Sequence, residues 1–344
     1  MDRSEAQRIL IVKLGAIGDV VNSLPFVNRL RAAQPRAHIT WAIAPLAHSL
    51  VRGQRAVDEF LVLDRSTRGG TRRFLRALRS REFDLTIDLQ RLTKSGLITR
   101  LSGAARRLGF DRARCKEQSA WFTNEKLAPN AHPGTTLDQY LEFAEHLGLP
   151  PAPVTWDLPV EEPPPATGRG IGSTDGPTVV VSLGASKEAN RWPAASWARL
   201  CAALHADLKA HIELSGGPQE RPTAREVSAL AAVPLEDRVG CLSLKQTGGL
   251  LAGADLFIGG DTGPLHMAVA LGTPVVALFG SSDPARTGPW GQAPGVVQAA
   301  PPAAGCAPCR KRRCSVPGHP CMTDLSVEAV LGRARERLGA SVGA

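Results

Sequence analysis

The residues best suited to chemistry in this 344-residue chain gather at turns where an apolar run meets a helical pattern. In LFIGGDTGPLHMA (256–268), Gly259, Gly260 and Gly263 let the backbone approach a ligand closely, and Pro264 fits the first helical turn. Thr262 or Gly263 would then leave unpaired N–H groups at the positive end of that helix, a ready phosphate site. Asp261 and His266 either belong to that site or serve as a helix cap and a half-buried core histidine. In KLGAIGD (13–19), Asp19 follows Gly15 and Gly18. A carboxylate there either takes the proton of a hydroxyl nucleophile or caps the helix. In SLGASKEANRWP (182–193), Ser186, Lys187 and Arg191 follow a strand, so the two cations either hold a diphosphate or decorate a solvated loop. Neither GxxxxGK[ST] nor GxGxxG occurs at these turns, which excludes a Walker loop and the dinucleotide-dehydrogenase fingerprint.

Two further segments stand out. RSTRGGTRRFLRALRSR (65–81) holds seven arginines and no acid. Arg72, Arg76 and Arg79 fall at helical spacing, with Phe74, Leu75 and Leu78 on an apolar side. Such a stretch suits phosphates on an anionic membrane surface, or it is a solvated helix face. CAPCRKRRCSVPGHPC (306–321) places Cys306, Cys309, Cys314 and Cys321 within sixteen residues, with His319 close by. Four thiolates could close a structural zinc site, remain reduced beside the arginines, or pair as disulfides. In each case the role is to pin the chain before SVEAVLGRARERLG (326–339), not to perform the chemistry.

The elements that must position these residues alternate. ILIVK (9–13), ITWAIAP (39–45), EFLVLD (59–64) and DLTIDLQ (84–90) read as strands, with helical patterns between them. TLDQYLEFAEHLG (136–148) carries helical spacing closed by glycine. Residues 149–177 are rich in Pro and Gly, and after them the alternation restarts with TVVVSLGAS (178–186), HIELSGG (211–217), DLFIGGD (255–261) and PVVALFG (274–280). Strands alternating with helices predict an α/β fold of parallel β-α-β units, here in two domains. The expected layout is 1–160, a linker at 161–177, a second domain at 178–325 and a terminal helix and tail at 326–344. In open sheets of this kind ligands bind at the carboxyl ends of the strands.

Composition narrows the class. Net charge is +9, carried mostly by arginine, which suits polyanionic partners. No apolar run is long enough to span a bilayer, and the N-terminus lacks the pattern of a secretion signal, so a cytoplasmic protein is expected. Aromatics make only 5%, with Tyr140 the sole tyrosine, which leaves little to stack on bases and speaks against a specific nucleic-acid-binding protein.

Taken together, the motifs resemble glycosyltransferase family 9, the ADP-heptose:lipopolysaccharide heptosyltransferases, over about residues 8 to 338. The resemblance rests on ILIVKLGAIGDVVNSLP, FDLTIDLQRLTKSGL (83–97), ASKEANRWP (185–193), SGGPQE (215–220) and GADLFIGGDTGPLHMAVALGTPVVALFGSSDP (253–284). It implies a GT-B fold, two Rossmann-like domains with the active site between them. It also implies inverting, metal-independent transfer of heptose from an ADP-activated donor to a lipopolysaccharide inner-core acceptor, with no cofactor required. By the same resemblance Asp19 is the general base, and Arg191 stands where the family commonly has a phosphate-holding lysine. Glu220 is matched to the ribose, Thr262, Gly263 and His266 to diphosphate and sugar with Asp261 beside them, and Lys94 to the acceptor. Arg72, Arg73 and Arg76 are expected to meet a phosphorylated lipid acceptor at the inner face of the inner membrane. Two departures concern the acceptor side: Arg91 replaces a frequent glycine, and His132 lies short of a frequent histidine. A nucleotide-sugar epimerase or hydrolase would share the donor half without needing an acceptor-binding basic stretch.

Overall fold

The computed structural model describes residues 7–165, 176–299 and 306–341. The chain divides into two compact units, Met1–Pro159 and Val160–Ala344.

The first unit is a parallel sheet of β1 (Arg8–Val12), β2 (His38–Ile43), β3 (Glu59–Val62), β4 (Leu85–Asp88), β5 (Arg106–Gly109) and β6 (Glu125–Lys126). Its helices are α1 (Ile17–Ala33), α2 (Pro45–Val51), α3 (Gly70–Arg79), α4 (Thr93–Leu101) and α5 (Thr136–His146). The strand order is β3-β2-β1-β4-β5-β6. β1 and β4 are buried on both faces because helices cover the sheet, which is why they read as unbroken apolar runs. Helices α1 and α5 meet through Phe26 and Phe143, with ring centroids 5.9 Å apart, and Phe110 meets Phe143 edge-on at 4.8 Å. Helix α5 starts with a capping box, in which the Asp138 N–H donates to Thr135 Oγ1 and Asp138 Oδ2 accepts the Thr135 N–H.

In the second unit the strands are β7 (Thr178–Ser182), β8 (His211–Ser215), β9 (Glu236–Asp237), β10 (Leu256–Gly260), β11 (Val275–Phe279) and β12 (Val296–Gln298). They are covered by α6 (Ala194–Leu208), α7 (Arg221–Ala231), α8 (Leu244–Ala252), α9 (Gly263–Ala270), α10 (Pro284–Thr287), α11 (Pro320–Thr323) and α12 (Val327–Ser341). The order is β12-β11-β10-β7-β8-β9, the same doubly wound topology as the first sheet. Each sheet reverses direction beside its first strand, at β1/β4 and at β7/β10, and ligands of such folds bind outside the strand ends there.

Part of the Pro-rich segment is tied down. The Leu149, Pro150, Thr155, Trp156 and Asp157 carbonyls accept bonds from the side chains of Arg29, Asn28 and Gln54. Residues 160–165 belong to the second unit, where Arg238 donates to the carbonyls of Pro164 and Pro165. Most of the expected linker, residues 166–175, lies outside the described residues. Helix α12 packs on α6, β10 and β11, so it is part of the second unit's core.

Candidate active site

At the first switch point, β1 delivers Lys13 and the turn that opens α1. That turn is fixed from β4, because Gln90 Oε1 accepts the N–H groups of Leu14 (2.9 Å) and Gly15 (3.2 Å). Asp19 lies in the first turn of α1, whose N-cap Ala16 offers no side-chain cap. Its Oδ2 meets the buried Lys13 Nζ at 3.0 Å, while 41% of the Asp19 side chain stays exposed to a reactant. Behind this pair lies Asp88, buried at the end of β4, whose carboxyl accepts the Gln90 N–H and the Ser95 hydroxyl. Burial pushes Asp88 up to about 6, against the pull of those two bonds and of Lys13.

Arg91 follows with φ at 65°, the left-handed region that glycine enters freely and an arginine only at a cost of about 1–2 kcal/mol. Its guanidinium carbon lies 3.9 Å from the centre of the Phe110 ring, a stacking that offsets part of this strain. Lys94 is exposed on the first turn of α4, near Glu117. On α3, Phe74 and Leu78 face inward and Arg72, Arg76 and Arg79 point to solvent. Arg73 instead donates to the Arg68 carbonyl and to Thr67 Oγ1, both at 3.0 Å, so it braces its own loop.

In the second unit the switch point gathers the other candidates. The Ser186 hydroxyl donates to the Asp261 carbonyl at 3.0 Å, which ties the loop after β7 to the loop after β10. Thr262 turns its hydroxyl back to the Gly260 carbonyl (3.2 Å) and gives α9 no side-chain cap, leaving the first-turn N–H groups of that helix open. Asp261 is held from three sides: Thr287 Oγ1 donates to Oδ2 at 3.1 Å, Ser282 bonds to it, and His266 Nε2 stands 3.7 Å from Oδ1. Burial pushes its carboxyl up, but His266 and the two hydroxyls outweigh burial and hold it below the ordinary aspartate value. Glu220 lies over the loop glycines, since a Cβ added to Gly184 would sit 3.7 Å from its carboxyl carbon. Arg191 is exposed, and Lys187 Nζ donates to the Arg310 carbonyl at 3.3 Å. Ser186, Lys187, Glu220, Asp261, Thr262, Gly263 and His266 therefore share one end of the second sheet. Asp19 and Lys94 sit on the corresponding end of the first.

Residues 71–319 match the sequence model of glycosyltransferase family 9 (heptosyltransferase). The chain belongs to glycosyltransferase family 9. This family 9 glycosyltransferase is 24% identical over 299 residues to the lipopolysaccharide core heptosyltransferase OpsX of Haemophilus influenzae, covering 86% of this chain and 85% of the relative. It is 28% identical over 321 residues to lipopolysaccharide heptosyltransferase 1 of Pseudomonas aeruginosa, covering 90% and 87%. Its fold is that of the Escherichia coli ADP-heptose lipopolysaccharide heptosyltransferase II, with a TM-score of 0.74 at 22% identity over 97% of this chain and 99% of the other. The two doubly wound parallel sheets are those of the GT-B architecture.

Among the residues that the sequence of the family 9 glycosyltransferase does not single out are several that hold the loop after β7. Asn190, buried, donates to Ser282 Oγ (2.7 Å) and accepts from the Ser281 N–H (3.0 Å) and hydroxyl (2.6 Å). The signal was an asparagine inside ANRWP and paired serines closing an apolar strand in FGSSDP. The cysteine segment lies against the same loop. The Ala189 N–H donates to the Arg312 carbonyl, and His319 Nε2 bonds the Ala189 carbonyl at 2.8 Å. Cys306, Cys309, Cys314 and Cys321 carry free thiols, and burial together with the other three raises the Cys321 thiol above its ordinary value. Among the described residues no group of three or more His, Cys, Asp or Glu is disposed to hold a metal ion. No described helix is long and apolar enough to cross a membrane.

Proposed function

We propose that this glycosyltransferase moves heptose from an ADP-activated donor to a lipopolysaccharide inner-core acceptor, with inversion and without a divalent metal. The observation that carries this reading is the uncapped N-terminus of α9 beside Ser186, Glu220 and Asp261, set in a chain whose family is shown. The donor and acceptor are those named for its lipopolysaccharide heptosyltransferase relatives. In this scheme Asp19 takes the proton of the acceptor hydroxyl as its oxygen bonds the anomeric carbon, and the bond from that carbon to the diphosphate breaks on the opposite face. The departing charge falls on α9 N–H groups and Arg191, with Lys187 in reach once it leaves the Arg310 carbonyl. These fixed dipoles and cations supply what a divalent ion supplies elsewhere, so transfer persists in EDTA. Incubation with ADP-heptose and heptose-free lipopolysaccharide, read as ADP release and acceptor mass gain, tests the reading. Turnover of a UDP-sugar without any acceptor would favour an epimerase or hydrolase instead.

Arg191→Ala weakens ADP binding by about tenfold or more and adenosine binding far less, because the contact is to phosphate. Calorimetry with both ligands checks this, and equal loss for both would remove Arg191 from the diphosphate site.

The acceptor side of the reading draws on α3. Its exposed Arg72, Arg76 and Arg79 suit an anionic membrane face at the cytoplasmic surface, at about 1 kcal/mol each. Reversing these three to Glu releases the protein from phosphatidylglycerol vesicles in co-sedimentation and leaves ADP affinity intact. A structural zinc at the cysteine segment, suggested by spacing alone, is decided by elemental analysis of protein purified without chelator.

A further inference from the structure

Lys13 is the least expected residue of the first sheet. It closes an apolar strand, is 1% exposed and ranks among the largest fully buried side chains of the molecule. Its backbone is clamped on one side, where its N–H donates to the Ala42 carbonyl (3.2 Å) and its own carbonyl accepts the indole N–H of the buried Trp41 (3.0 Å). The side chain thus has little freedom. Its ammonium reaches Asp19 Oδ2 at 3.0 Å and the Leu89 carbonyl at 3.4 Å, and lies 5.1 Å from the centre of the Tyr140 ring. A buried ammonium is costly, and a well-packed apolar side chain in its place is commonly neutral or stabilising. Packing alone therefore gives no reason for a lysine here. Its partner does, because Asp19 is the one member of the pair that reaches solvent.

We propose that Lys13 is a positioning residue, whose buried ammonium aims the Asp19 carboxylate and keeps it ionised for the acceptor hydroxyl. The inference rests on the reading of Asp19 as the base. The groups that face this pair come from every neighbouring element: Asp88 from the end of β4, Arg91 from the loop after it and Tyr140 from α5. Burial lowers the Lys13 ammonium pKa, but Asp19 and Tyr140 outweigh burial and raise it above the ordinary lysine value, so it stays charged throughout the working range. Burial raises Asp88 against the pull of Lys13, so the same ammonium also faces the carboxyl at the end of β4. Removing the ammonium takes from Asp19 the cation that favours its ionised form.

The test compares kcat/KM against pH for wild type, Lys13→Met and Asp19→Asn, using ADP-heptose and heptose-free lipopolysaccharide, with ADP affinity and thermal unfolding as controls. Lys13→Met is expected to lose at least about tenfold at neutral pH, with the acid limb moved up by about one unit or more and the rate recovering toward alkaline pH. ADP affinity stays at the wild-type value, because the donor residues belong to the other unit. Added to Asp19→Asn, the Lys13→Met change costs nothing further, since the group it served is gone. Should Lys13→Met fail to unfold cooperatively, Lys13→Gln gives the same readout, keeping a donor for Asp19 without the charge. An acid limb that stays in place in the neutral variants, with Asp19→Asn inactive, overturns the role of Lys13 alone. An active Asp19→Asn overturns the reading of the base, and the role of Lys13 with it.

Discussion

Asp19→Asn lowers kcat by about 10²–10⁴ and leaves ADP affinity at the wild-type value. The substitution keeps the size of the side chain and its place in the first turn of α1, and Lys13 can still donate to the amide oxygen. In the proposed mechanism, what disappears is the ability to accept a proton from the acceptor hydroxyl. The groups proposed to hold the donor, at α9 and after β7, lie in Val160–Ala344, so ADP binding has no reason to change. Single-turnover measurements at saturating ADP-heptose separate the chemical step from binding. A variant that turns over at the wild-type rate would reduce Asp19 to a residue of the helix start.

The second large effect is expected at Asn190. Asn190→Ala removes three hydrogen bonds at once and strands the N–H of the buried Ser281, while the Ser281 hydroxyl keeps the Lys311 carbonyl and the Ser282 hydroxyl keeps Asp261. The stranded N–H costs about 1–3 kcal/mol and each lost hydroxyl bond about 0.5–1.5 kcal/mol, so a loss of about 3 kcal/mol is expected for the second unit. In a domain of this size that lowers the unfolding midpoint by about 6–12 °C. The same asparagine anchors the loop carrying Ser186, Lys187 and Arg191, so ADP affinity falls by about tenfold or more even well below the melting transition. Calorimetry at low temperature with a melting curve on the same sample checks both. A lowered midpoint with unchanged ADP affinity would separate the loop from the donor site.

The fold and the site were legible to different depths. The central strands announced themselves because burial on both faces demands unbroken apolar runs, as in RILIV and VVALF. The edges did not. β5 is RRLG, with both arginines turned to carbonyls or carboxylates of neighbouring segments, and β6 and β9 are two residues each. Such strands exist because a neighbouring strand offers a ladder, not because of their own composition. The Pro-rich segment looked like linker because proline lacks the N–H that regular structure needs. Its carbonyls are nonetheless satisfied at long range by Arg29, Asn28 and Gln54, which no local pattern reveals. Within the site, the aspartates and glycines were visible because turns select them. Lys13 and Asn190 were not, since their roles come from partners 76 and 91 positions away in some of their bonds. Arg73 shows the reverse: at the sequence level it equals its neighbours, and only the loop before α3 distinguishes it.

The bracing of the donor loop has a consequence for how the protein is made. Trp192, Ala189 and Lys187 are all bonded to residues between 310 and 325, and the indole of Trp192 donates to a carbonyl 133 positions further along. A ribosome releases the first sheet whole long before those partners exist, so Met1–Pro159 can acquire its native shape during synthesis. The second sheet can form its strands, and Ser186 and Asn190 can hold the loop after β7 to Asp261, Ser281 and Ser282, but its remaining tethers wait until residues 310–325 have left the exit tunnel. The full bracing of this loop therefore arrives late in synthesis. A nascent chain stalled before residue 310 should carry a finished first sheet and a loop held by Ser186 and Asn190 alone.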